Sequence, residues 1–362
     1  MKINRTTVLV GPALHAVSGV ATHINMLLAS RLAAQYRLLH FQIGSEGRSE
    51  GAFQKLSRLV TSPFAFGAFL VRYRPAIIHI NTSLVPRAYW RDFVYLSVAK
   101  AFGRQVVSQI HGGALPEQFA TNGVTRFLLR RFLRASAIVT VLSSEELRAY
   151  EAFDKDAHFE LVPNAISLTG CLIGSRVSAK EDSLRLVYVG RIVRSKGVFD
   201  VLTALALLRQ EGLVCKFQVA GSGEDESQVR DAIVRLGLDA EVTLLGPVFG
   251  AAKNKLWLDS DALVFPTYFE GLPYSLLESM AAGCVPIISP VGGIPDVMQD
   301  GVHGIFVPVH SPVAVANAIR RLANDRLELQ RMSLAGRERI REQYTVDRLA
   351  DRFGEIYKRL SS

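Results

Sequence analysis

Short runs of Val, Ile and Leu recur along the chain with stretches of helical periodicity between them, and this rhythm constrains the fold more than any other feature. In the first half the runs are Val8 to Val10, Leu38 to Ile43, Ile77 to Ile80, Val106 to Ile110, Ile138 to Leu142 and Leu161 to Val162. Strands that are apolar throughout are buried on both faces, as in a parallel sheet whose crossover connections are helices. After a polar stretch that includes Ser178 to Ser183, the pattern restarts with Leu186 to Val189, Phe217 to Ala220, Val242 to Leu245, Ala262 to Phe265, Val285 to Ile288 and Ile305 to Val307. The expected fold class is therefore α/β, with two Rossmann-like doubly wound domains. The expected boundaries are 1–166 for the first domain, 167–183 for a linker, 184–344 for the second domain, and 345–362 for a closing helix that packs back toward the first.

Composition narrows the class. Hydrophobic residues make up 49% and charged residues 21% of the 362 positions, which excludes disordered, collagen-like and disulfide-scaffold chains. Cys171, Cys215 and Cys284 form no CxxC pair, so a reducing compartment is expected. No apolar run approaches the roughly 18 residues that span a bilayer. Lys2 to Val10 reads as a first strand and not a signal peptide, because Gly11, Pro12 and His15 interrupt it.

The formal net charge of +9 is unevenly spread. Residues 1–134 carry 17 Lys and Arg against 4 Asp and Glu, residues 135–165 carry 2 against 6, and residues 166–362 carry 23 against 23. A basic front half implies an anionic partner: nucleic acid, an acidic membrane surface or a charged substrate.

Two segments of the second half carry chemistry. Tyr188 to Gly197 is a strand that ends in Gly190 and releases Arg191 and Lys196 where ligands of such sheets bind; a guanidinium fork and an ammonium on one loop suit a diphosphate, though a solvated basic loop has the same composition. In Phe265 to Gly283 a buried strand, a loop and a helix follow one another, with Pro273 placed at the first helical position and Gly283 as C-cap. The amides around Gly271, Leu272 and Ser275, with the helix dipole, suit phosphate oxygens. Glu270 and Glu278 bracket that helix start, and carboxylates accept hydrogen bonds from paired sugar hydroxyls; singly, each is equally an ordinary surface glutamate.

In order along the chain, Gly190-Arg191 with Lys196-Gly197, Val219 to Gly223, Leu245-Gly246, the Glu270 and Glu278 pair with seven residues between them, and Gly292 to Asp296 resemble retaining glycosyltransferase family 4, of the GT-B fold. The resemblance covers nearly the whole chain. It implies two Rossmann-like domains facing across a cleft and a nucleotide-sugar donor linked to uracil, guanine or adenine. It assigns donor diphosphate contacts to Gly19, Arg191, Lys196, Gly271, Leu272 and Pro273, nucleoside contacts to Gly221, Gly223 and Glu278, and the neighbourhood of the transferred sugar to Glu270 and His111. Ser18-Gly19 stands for the family's usual Gly-Gly, and Asn81 in His79-Ile80-Asn81 departs from two histidines, so His79 receives no catalytic role. No cofactor and no metal are implied. Asp259-Ser260-Asp261 precedes a strand, at the end away from the ligand crevice, and is set aside as a metal site.

The basic excess has identifiable carriers: Arg72 and Arg74 after Phe64, Phe66 and Phe69, and Arg126, Arg130 and Arg134 at four-residue spacing among Phe and Leu. Both segments fit contact with anionic lipid, and the second equally fits a sheet-packing helix with solvated arginines. The expected function is transfer of a hexose to a lipid-linked or membrane-proximal glycan acceptor in polysaccharide or lipopolysaccharide biosynthesis. The expected location is cytoplasmic, on the inner face of the membrane. The alternatives are a nucleotide-sugar-binding protein acting on a soluble small acceptor or lacking transfer activity, and a nucleic-acid-binding protein. No recognition motif of the known nucleic-acid modules is present to support the last.

Overall fold

Every apolar run named above becomes a parallel strand in the computed structural model, which describes residues 5–168 and 183–361. The expected linker, with Cys171, lies almost wholly outside the described residues. The chain divides into one unit of Met1–Ala165 with Val346–Ser362 and a second of Ile166–Thr345. Ile166 falls in the second unit, where it bridges to Thr345 and its amide donates to the Tyr344 carbonyl.

The first unit begins β1 (Thr6–Gly11), α1 (Gly19–Ala29), α2 (Leu32–Gln35), β2 (Arg37–Gln42), α3 (Ala52–Tyr73), β3 (Ile77–Leu84) and α4 (Pro86–Ala101). It continues β4 (Gln105–Gly113), α5 (Pro116–Phe119), α6 (Gly123–Ala135), β5 (Ile138–Val141), α7 (Ser144–Phe153) and β6 (Phe159–Leu161). Its strand order is β2-β1-β3-β4-β5-β6, so the winding reverses between β1 and β3. Strand periodicity sends alternate residues to opposite faces. Val8, Ile78 and Val106 therefore meet Phe66 and Leu70 of α3, Leu96 of α4 and Phe132 of α6 on one side of the sheet.

The second unit begins β7 (Arg185–Val189), α8 (Val198–Gln210), β8 (Lys216–Ala220), α9 (Glu226–Arg235), β9 (Val242–Gly246), α10 (Gly250–Asp259) and β10 (Ala262–Phe265). It continues α11 (Tyr274–Ala282), β11 (Val285–Ile288), α12 (Ile294–Val297), β12 (Ile305–Phe306), α13 (Pro312–Asn324) and α14 (Arg326–Gln343). The last helix, α15 (Val346–Ser361), returns to the first unit. Its apolar stripe of Leu349, Phe353, Ile356 and Tyr357 packs with Ile24 and Leu27 of α1 under Leu9, Ile77 and Val107, closing the other side of the first sheet. Arg31 pairs with Asp351, and Arg359 with Glu160 at 2.6 Å.

Two groups of predicted surface residues need correction. Of Phe64, Phe66 and Phe69, only Phe64 is exposed; Phe66 is in the core and Phe69 is half-buried, 4.4 Å from the Tyr73 ring and 5.2 Å from the Phe41 ring between centroids. The cause is the helical repeat: residues two apart point to nearly opposite sides. Arg72 lies over the Tyr73 ring at 5.6 Å, and Arg74 terminates α3 in a left-handed conformation. The arginines of α6 do share a face, but that face is satisfied locally. Arg126 pairs with Glu117, Arg134 with Asp154 and Asp156 at 2.8 Å each, and Arg130 donates to the Phe153 carbonyl at 3.1 Å. Arg126 and Arg134 are thus paired with carboxylates inside the unit, and Arg130 is held by a backbone carbonyl.

Beneath α1 three histidines converge. The His23 ring is 4.8 Å from the His111 ring and 6.4 Å from the His79 ring, centroid to centroid, and His79 Nδ1 lies 2.6 Å from the Tyr357 hydroxyl. Burial pushes His79 and His111 down to about 3, and burial together with the other two rings holds His23 well below its ordinary value. The unfolded chain takes up these protons near pH 6.5 and the folded unit resists them, so stability is complete above that value and is lost as pH falls toward 3. The thermal midpoint of the first unit is expected to drop between about pH 6.5 and 4, with a shallower drop in His23→Leu. Phe66→Ala is expected to cost about 3–5 kcal/mol in denaturant unfolding, and Phe64→Ala no more than about 0.5 kcal/mol.

Candidate functional site

In the second unit the sheet order is β12-β11-β10-β7-β8-β9, which places the reversal of winding between β7 and β10. Ligand crevices of doubly wound sheets open at the carboxyl ends of the strands beside such a reversal. The loops after β7 and β10 are the two that carry Arg191, Lys196 and Glu270.

These loops are pressed together by glycines. Gly197 has φ 77°, and a Cβ there would lie 2.2 Å from the Pro266 carbonyl oxygen. Gly292 has φ 58°, with the Glu270 carbonyl oxygen 1.9 Å from where its Cβ would stand. Gly221 and Gly223, assigned above to the nucleoside, serve the same purpose. Their missing Cβ atoms would meet the carbonyl oxygens of Gly190 at 1.8 Å and Ile192 at 2.1 Å. At each of them the place a Cβ would take is filled by neighbouring backbone, while Gly223 itself stays exposed. Backbone bonds complete the belt: Gly190 to Ala220, Ile192 to Ser222, Gly221 to Gly246, Tyr268 to Ser195 and Gly293 to Gly271.

Across the belt, Lys196 Nζ donates to Glu270 Oε1 at 2.5 Å and to the Phe269 carbonyl at 2.8 Å. Burial pushes the Glu270 carboxyl up, and Lys196 and Arg191 oppose that rise. Lys196 is thus committed to the neighbouring loop and not extended alone into the crevice, as the sequence suggests. An ammonium has three N–H groups, so one stays available for a ligand. Arg191 is exposed beside the pair, while the Tyr188 hydroxyl holds the Arg191 carbonyl at 2.7 Å.

At the start of α11 the structure shifts the expected register by one. Pro273 is the N-cap in extended conformation, with no side-chain cap, and Gly283 ends the helix at φ 76°. Pro273 has no N–H and is buried, so it contributes no donor to a diphosphate, and Leu272 turns its side chain into the core. Gly271 remains partly accessible. Glu278, one turn in, accepts from Lys253 Nζ at 2.7 Å and from Trp257 Nε1 at 3.2 Å. Its oxygens are already bonded, so a ribose would share or displace Lys253. Lys253 and Trp257 were missed in the sequence; their four-residue spacing shows a common helix face but not that the face meets α11.

In the first unit the corresponding loops follow β1, β3 and β4. Gly19 opens α1 and is exposed, after Ser18 caps the helix by accepting from the Ala21 amide. His111, partly accessible at the end of β4, has Nε2 2.9 Å from Asn81 Oδ1. Asn81 Nδ2 donates to the Val10 carbonyl at 3.2 Å, which orients the amide so that its oxygen faces the imidazole. His111 therefore carries its proton on Nε2 and leaves Nδ1 as an acceptor. Asn81, read in the sequence only as a departure from a family pattern, is what sets this tautomer.

Comparison with known proteins agrees with this architecture. Residues 175–339 match the glycosyl transferases group 1 model, and residues 19–165 match the glycosyl transferase 4-like domain. An uncharacterized glycosyltransferase of Methanocaldococcus jannaschii is 28% identical over 50% of this chain and 46% of that protein, so the chain spans about half the length of that relative. Glycogen synthase of Mycobacterium tuberculosis is 24% identical over 79% of this chain and 69% of the enzyme. Among solved structures, sucrose-phosphate synthase from Thermosynechococcus elongatus superposes with TM-score 0.80 at 19% identity, covering 99% of each chain. Anabaena HepE in complex with UDP-glucose does so with TM-score 0.76 at 16% identity, covering 97% of this chain and 99% of HepE. Those likenesses show the fold, which is GT-B, and the two family matches with the relatives place this chain among the group 1 glycosyl transferases, of the family 4 type.

Proposed function

We propose that this chain is a retaining glycosyltransferase that moves a hexose from a nucleotide-diphosphate sugar to a lipid-linked or membrane-proximal glycan acceptor in polysaccharide or lipopolysaccharide biosynthesis, without a metal. The observation that carries the proposal is the Lys196 and Glu270 pair with Arg191 beside it, held at the switch point of the second unit. A crevice that concentrates two cations next to a half-buried carboxylate is built for a group whose charge develops during reaction.

In the reaction, the bond from the sugar's anomeric carbon to the diphosphate oxygen breaks, and the acceptor oxygen bonds to that carbon on the same face. The acceptor's proton passes to the departing diphosphate. Arg191 and the third N–H of Lys196 stabilise that leaving group, with Gly271 approaching through its backbone. Glu278 takes the ribose hydroxyls. Glu270 lies beside the transferred sugar, and in the first unit His111, neutral at physiological pH, offers Nδ1 as a hydrogen-bond acceptor.

The relatives support this reading. One of them is an amylovoran biosynthesis glycosyltransferase of Erwinia amylovora, 28% identical over 51% of this chain, and HepE is solved with UDP-glucose. No described helix is long and apolar enough to cross a membrane, and the proposed place of action is the inner face of the cell membrane, reached peripherally from the cytoplasm.

Glu270→Ala and Lys196→Ala are each expected to lower transfer by about 100-fold or more while circular dichroism stays unchanged; full activity in either variant removes the site assignment. In a thermal-shift screen of UDP-, GDP- and ADP-sugars without added metal, one base is expected to raise the midpoint by mass action. Arg191→Ala is expected to abolish that rise, and an unchanged shift would place the diphosphate elsewhere.

A further inference from the structure

The structure assigns a second role to α3: its outward face is a docking surface for an anionic lipid bilayer. The residues of α3 that enter the core, Phe66, Gly67 and Leu70, all lie in its C-terminal half. The first turns overhang that core, and residues 51–57 are all exposed. This overhang is nonetheless apolar. Phe53 is 83% and Phe64 76% exposed, and Leu56, Val60 and Val71 are also exposed. Counted from Phe53, the others stand three, seven, eleven and eighteen residues on, which at about 100° per residue keeps all five within about 80° of arc, on a side turned away from Phe66. A helix facing water keeps that side polar, and a continuous exposed apolar face marks an interaction site.

Charge identifies the occupant. α4 and α6 contribute to the same side of the sheet as α3. In these three helices the one acidic residue is Asp92, which is fully buried and bonded by Arg91 at 2.6 Å. Lys55, Arg72, Arg87, Lys100 and Arg131 are exposed. An apolar stripe on helices that carry exposed cations and no exposed carboxylate of their own, the nearby Glu117 and Asp156 being paired with Arg126 and Arg134, fits a helix lying in the plane of an anionic bilayer. Nucleic acid has no use for the stripe. A two-fold pairing of this face with a second copy would set like charges against each other. The proposal rests on the membrane-proximal acceptor proposed above and deepens it, because it names the element that makes the contact. The element is the overhang from Phe53 to Phe64, and not the locally paired arginines of α6.

The test is co-sedimentation of the full chain, at low salt, with vesicles of phosphatidylcholine alone and of phosphatidylcholine mixed with phosphatidylglycerol. Binding is expected only to the mixed vesicles. Phe53→Ser combined with Leu56→Ser is expected to weaken it by about tenfold or more, as is Lys55→Glu combined with Lys100→Glu. The nucleotide-sugar thermal shift is expected to be unchanged in both variants, which shows that they fold. Absence of binding to mixed vesicles overturns the proposal. So does a dimer, seen by light scattering, that the Phe53→Ser and Leu56→Ser changes dissociate. Vesicle binding that survives while no nucleotide sugar gives a shift leaves the docking surface standing and removes the proposed reaction instead.

Discussion

The second unit depends on the close approach of its loops at the carboxyl edge of its sheet. Gly197 against Pro266, Gly292 against Glu270 and Gly221 against Gly190 each leave no room for a single carbon atom. Positive backbone angles at these three positions are open to glycine at little steric cost. Only because the backbones meet so closely can Lys196 span from the loop after β7 to Glu270 after β10. The ion pair is then buried enough for desolvation to push the carboxyl up, while the two cations restrain it. A pair in that condition responds strongly to any new charge placed beside it, as a bound diphosphate would be.

The first unit meets a different constraint. Its sheet is covered on one side by α1, α2 and α15 and on the other by α3, α4 and α6. The α15 side is closed by a segment that arrives after the entire second unit, and its Tyr357 hydroxyl reaches the buried His79. The other side is closed incompletely, because α3 is longer than the sheet surface it covers. Its excess turns hold apolar residues in water, a cost of the kind that folded chains retain where another surface relieves it.

Much of this architecture was legible from residue order. The twelve apolar runs mark the strands to within a few residues, since a two-faced buried strand admits almost nothing else. Gly283 announces the end of α11 and Ser18 the start of α1. Individual side chains were less legible. Arg126, Arg130 and Arg134 read as a free basic face until Glu117 and Asp154 are seen beside them, and the close packing of Gly221 and Gly223 on Gly190 and Ile192 is seen only once the loops are folded together. In each case the deciding neighbour is distant in sequence or in a loop whose path periodicity does not describe.

What the sequence by itself determined is what depends on local chemistry: strand and helix periods, caps, the placement of glycine before Arg191 and Lys196, and the concentration of positive charge in the first 134 residues. What only the tertiary structure decided is which of those groups remain available. The excess of +9 is a sum over positions, but a charge acts outward only if no partner has been folded against it, and an apolar residue seeks a partner only if the core has not already taken it. Folding neutralised much of α6 and buried Phe66, and it left Phe53, Phe64 and Arg191 facing outward. That sorting follows from contacts between segments far apart in the chain, which no local pattern encodes.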